Sequence, residues 1–219
     1  MDGKGTLFRF HPEDLLTAVE SFHGTGTGVS RTDDIRYREM IADGRPYNLD
    51  LILPVLTSWR AHRGTGDARM LRCVLSDFVS EKQPELDHLR ATQLLRLSDE
   101  DLRVVKTLVE WLENKEFKPT AWGKSLHMLA PNALLLWDEV VVRRRYDLAA
   151  NVEGFLSYQR FGQRLAKSLG DKLEMVLEQH ASVAGYAEPI PKILDELAFD
   201  WDGSAKAVLS LGGHLAAFM

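Results

Sequence analysis

The sequence holds one cysteine, Cys73, in 219 residues. That excludes an internal disulfide framework and a zinc site built from several thiolates. Cys73 stands beside Val74 on an apolar helical stretch and is expected to be buried packing. No apolar run approaches the roughly 18 residues that a membrane helix needs, so no membrane partner is expected. The first residues, MDGKGTLFRFHPED, lack the apolar stretch of a secretory signal, which makes the cytoplasm the expected location. Positive charge is not in excess: Lys+Arg 27 against Asp+Glu 32 gives a formal charge of −5. Broad nonspecific nucleic-acid binding rides on a basic surface and is disfavoured, whereas a small basic face on an acidic body remains compatible. The histidines (11, 23, 62, 88, 127, 180 and 214) form no HExxH or HxxxH pair, so neither a metal site nor another cofactor is expected. GxxxxGK[ST] and GxSxG are missing too.

With 45% hydrophobic and 27% charged residues, the chain has the composition of a globular protein. The expected arrangement is a single helical domain over 1–219, or two lobes (30–115, and 116–219 with the N-terminal segment) around a cleft. Apolar spacing is helical nearly everywhere. Helices are expected over 12–22, from Thr32 to about Gly44, over 48–62 with a kink at Pro54, and over 67–81 and 84–95. The 67–81 helix carries a core stripe of Met70, Leu71, Val74, Leu75 and Phe78. Ser98 to Asp101 reads as a capping box that opens a helix over 99–114. Further helices are expected over 119–130, 132–146, 151–180 and 189–198, with a docking tail over 204–219. The stretch HGTGTG (23–28) has no strand before it in a βαβ unit, so it is expected to be a plain loop. The fold class is all-α, a compact protein of about nine or ten helices.

The densest stretch is 118–145, KPTAWGKSLHMLAPNALLLWDEVVVRRR. Thr120 lies in the first turn of a helix, where free N–H groups suit a phosphate. Lys124 and His127 lie three apart on one helical face. Asp138 ends the apolar run Leu134 to Trp137, where it either caps the next helix or serves as a partly desolvated catalytic carboxylate. Arg143, Arg144 and Arg145 follow about one turn later, in reach of a phosphate backbone or solvated at a helix end.

Residues about 99–146 resemble the catalytic region of the helix-hairpin-helix DNA glycosylases. The helix 99–114, the connection Lys115 to Pro119, the helix from Thr120 and the run LLLWDEVVVR follow that family's order. The resemblance gives Asp138 the place of the catalytic aspartate and makes Lys124 the nearest candidate for the lysine of bifunctional members. Two features depart from the family. KEFKPTAWG stands where the hairpin has glycine-x-glycine, and Thr120 occupies the spacing of the lysine. The resemblance implies a monomeric, metal-free enzyme acting on double-stranded DNA. It would excise a damaged or modified base from a flipped-out nucleotide, in repair or in defence against phage. Trp122, His127 and Trp137 would then wall the pocket or contact the base, or else pack in the core. Two other readings stay open: a noncatalytic helical module that binds DNA or protein, and a small-molecule hydrolase using Asp138.

Overall fold

The computed structural model describes residues 31–64, 67–139, 142 and 146–200. The 12–22 helix, the 23–28 loop, the 204–219 tail and Arg143 to Arg145 lie outside the described residues. Within them the chain is all-helical, with no strand. In chain order the helices are α1 (Arg31–Asp43), α2 (Leu49–Ser58), α3 (Ala68–Glu81), α4 (Gln83–Ala91), α5 (Asp99–Glu113), α6 (Pro119–Leu129), α7 (Val152–Leu169), α8 (Lys172–Ala184) and α9 (Ile190–Asp200). Single 3-10 turns at Ala61–Gly64 and Leu94–Arg96 link some of them.

Local chemistry accounts for the first half. In α3 the Asp67 side chain accepts from the Met70 N–H, which starts the helix, and Leu71, Val74, Leu75 and Phe78 form its buried stripe. Met70, expected in that stripe, is 50% exposed, and Cys73 is exposed rather than buried. Both fall on the solvent side of the helix, one position off the inward row. Before α5, Ser98 and Asp101 form the reciprocal capping box that the sequence predicts. His88 of α4 adds a third contact to the Asp101 carboxylate. Burial opposes ionisation of Asp101, but the Ser98 N–H and hydroxyl and His88 outweigh it and lower its pKa.

The α5–α6 hairpin turns without glycine. The Phe117 N–H reaches the Leu112 carbonyl (3.1 Å) and the Glu116 N–H that of Glu113 (2.8 Å), a Schellman arrangement sealed by buried Phe117. Its left-handed position is filled by Glu116 at φ 65°. α6 then runs through the centre of the molecule, with every residue from Ala121 to Leu129 buried.

The second half departs from the expected helices in two places. Residues 134–138 are not helical, so the expected 132–146 helix is replaced by a turn, an irregular run and a helical stretch from Glu139. The expected 151–180 helix is two helices, α7 and α8, separated at Gly170 (φ 52°, ψ −131°), a conformation that disfavours any residue with a Cβ.

Candidate active site

The segment 134–137 is buried yet makes no ladder or helix, so its backbone polar groups need other partners. The Leu134 N–H donates to the Ala130 carbonyl (3.1 Å), and side chains supply three further partners. The Leu135 N–H donates to Gln159 Oε1 (2.7 Å), and Gln159 Nε2 donates back to the Leu135 carbonyl (3.4 Å). The Leu134 carbonyl accepts from His127 Nδ1 (2.7 Å). Because a carbonyl only accepts, His127 carries its proton on Nδ1, and Nε2 accepts from the Tyr37 hydroxyl (2.9 Å). Burial, with Lys192 nearby, pulls the His127 pKa down to about 4 although the Leu134 carbonyl favours the cation. Trp137 packs on Trp122 and Phe155 (ring centroids 6.1 and 5.8 Å), and Gly123 leaves the room it needs.

This scaffold delivers Asp138 to the edge of the interior. Its main-chain carbonyl accepts from Val142 N–H (2.8 Å), which starts the next helical stretch. Its Oδ2 accepts from Lys124 Nζ (2.9 Å), and the same ammonium donates to the Trp59 carbonyl (2.8 Å). Side-chain exposure is 9% for Lys124 and 19% for Asp138, so only the carboxylate retains appreciable contact with solvent. Thr120 sits beside the pair, its hydroxyl accepting from the Glu139 N–H (3.3 Å). The structure therefore brings together Asp138, Lys124 and Thr120. Trp122, His127 and Trp137, expected as pocket walls, are completely buried and brace the 134–138 segment from behind.

Sequence reasoning missed a second group of buried charges. His180 of α8, Glu188 of the following connection, and Lys192, Asp195 and Glu196 of α9 are all buried. His180 Nε2 lies 3.2 Å from an oxygen of each glutamate, and Lys192 donates to Glu196 (2.7 Å). Burial, Glu196 and Asp138 raise the Asp195 pKa to about 7 against the opposing pull of Lys192 and Lys124. Asp195 thus links the two groups electrostatically. Two surface cavities, of 230 and 540 Å3, lie elsewhere: the first includes Arg45, Asn48 and Arg90 in its wall, the second Gln93, Asp171 and Glu174. Neither is lined by Asp138 or Lys124.

No family model, curated protein or solved structure matches this chain.

Proposed function

We propose that the protein is a DNA glycosylase that excises a damaged or modified base, with Asp138 as the catalytic carboxylate. The observation that carries this reading is the Asp138–Lys124 pair: a carboxylate at the interior's edge, fixed by a buried ammonium and still 19% exposed. Breaking the N-glycosidic bond sends its electron pair out with the base and leaves oxocarbenium character on the deoxyribose. A preoriented carboxylate in a partly dry site stabilises that cation far better than water does. Water then adds to the sugar carbon and gives up its proton, with Asp138 as the acceptor at hand. Lys124 is engaged by two acceptors, which suits a positioning residue that holds the carboxylate rather than a nucleophile. Repair and defence against phage with modified bases use the same chemistry. The arginines at 143–145 enter from sequence alone as phosphate contacts.

The burial of Trp122, His127 and Trp137 favours a second reading, a noncatalytic helical module that binds DNA or protein. There Asp138 is only a helix-starting residue with a structural counter-ion. Abasic-site formation on a panel of modified duplexes separates the two. The glycosylase reading expects excision of at least one base, lost by about a hundredfold to a thousandfold in Asp138→Asn with DNA binding retained. It also expects no borohydride-trapped adduct at Lys124. Wild-type excision by a folded Asp138→Asn protein would remove Asp138 from the chemistry. DNA binding without excision of any base would leave the module.

A further inference from the structure

We infer that His180, Glu188 and Glu196 form a binding site for one divalent transition-metal ion of the Zn2+ or Mn2+ class. The inference is independent of the glycosylase reading and reverses the expectation, drawn from histidine spacing, of no metal.

Three elements converge on one point. His180 comes from α8, Glu196 from α9, and Glu188 from the connection that Gly185 turns at φ 78°. All three side chains are fully buried. His180 Nε2 is 3.2 Å from Glu188 Oε2 and 3.2 Å from Glu196 Oε2, and the three atoms lie within 4.8 Å of one another. Donors held at about 2.0–2.2 Å from a tetrahedral ion are themselves about 3.4 Å apart, so these atoms need little movement to share one.

Hydrogen bonding leaves the same point unfilled. Nε2 hydrogen-bonds to Glu196 Oε2, and Glu188 Oε2, equally near, is buried with no hydrogen bond among the described residues. That oxygen has the His180 ring nitrogen, 3.2 Å away and shared with Glu196, as its contact against a full desolvation cost. The remaining oxygens are taken from outside the cluster's centre. The Tyr186 hydroxyl donates to Glu188 Oε1 and Lys192 Nζ to Glu196 Oε1 (2.7 Å). Metal-ligating carboxylates are oriented in this way, with outer partners on one oxygen and the other turned to the ion.

An ion would take the place of the imidazole proton. Glu188 and Glu196 have the buried Lys192 ammonium as a neighbour, and binding releases the proton that His180 Nε2 shares with the two glutamates. One imidazole nitrogen and two carboxylate oxygens, with no thiolate, are a donor set for Zn2+ or Mn2+. Sequence patterns pass over it because its ligands fall at eight-residue steps across two helices and their connection.

The full chain, stripped with chelator, should be titrated with Zn2+ alone and with Mn2+ alone by calorimetry and in thermal melts. The expected result is saturable binding of one equivalent of at least one ion and a Tm that climbs with ion concentration by mass action. Glu188→Gln keeps the side-chain volume, and a folded variant should bind about tenfold or more weakly. Co2+ supplies a readout on the unaltered chain, because an ion among these buried ligands shows intense visible bands that Zn2+ displaces. The absence of saturable binding by the wild type, or equal affinity in folded Glu188→Gln, overturns the site. In that event the cluster is held by protons alone, with His180 as an imidazolium between the two glutamates.

Discussion

Residues 31–113 and 119–200 bury different things. In the first stretch the interior is hydrocarbon, and Asp101, tied into a capping box, is its single buried charged residue among those described. In the second, Lys124, His127, Gln159, His180, Glu188, Lys192, Asp195 and Glu196 are buried, and each is held by hydrogen bonds or by neighbouring charges. A hydrophobic stripe is stabilised by area removed from water and tolerates reshaping of the same volume. A buried charge is stabilised by named partners at fixed distances, and fails when one is removed. The second stretch has thus exchanged tolerance for placement, as a site that fixes a carboxylate or an ion requires.

Volume-conserving substitutions should separate the two stretches by the widest margin. Lys192→Met strips the ammonium from Glu196 and is expected to destabilise the metal-free chain by about 3–5 kcal/mol. Leu108→Met, at a fully buried position of α5, should cost less than about 1.5 kcal/mol. Urea denaturation of the two variants measures both, and equal losses would deny the contrast. A pH effect of slightly smaller size should come from His127. Its folded pKa of about 4 lies below the ordinary value of 6.5, so the unfolded chain takes up a proton first as pH falls. Its contribution is complete above pH 6.5 and declines by about 3 kcal/mol between pH 6.5 and pH 4. Comparing the wild type with His127→Gln across that window isolates it, and parallel curves would show that His127 titrates normally.

Gly123→Ala tests how closely α6 supports the 134–138 segment. A Cβ there would sit 2.4 Å from the Trp137 Cβ, and the overpacking is expected to cost about 1–3 kcal/mol. If the glycosylase reading holds, excision should fall as well, because Trp137 immediately precedes Asp138. The smallest effect belongs to the first stretch. Glu116→Gly relieves a side chain at φ 65° and should raise stability by under about 1 kcal/mol, seen as a small Tm increase.

Much of the first stretch was legible because its signals are local. The Ser98–Asp101 box spans three positions and the stripe of α3 repeats every three to four, so neighbours in sequence decide both. Met70 and Cys73 were misplaced because a stripe's edge is set by the neighbouring helix, not by the stripe. The run Leu134 to Trp137 was misread as helix because a wholly apolar segment has no periodicity to tell helix from extended chain. What pairs with its backbone in place of a helix is Gln159, a residue with no motif, bonded from 24 positions away. Asp138 was visible as a carboxylate after an apolar run, and Lys124 as its neighbour in a resemblance. Their 2.9 Å contact, and its tether to Trp59, 65 positions before Lys124, were not.

Residue order was enough for the all-α class, the starts of α3 and α5, the existence of α6, and a carboxylate at the end of a hydrophobic run. Capping and amphipathic burial act over one or two turns and depend on residues within that distance. The rest came from long-range packing. It chose which charges are interior, joined Tyr37 to His127 across 90 positions, and turned His180, Glu188 and Glu196 toward one point. The reason is physical: a buried charge is tolerable only beside its partner, and packing of distant segments decides which groups become partners.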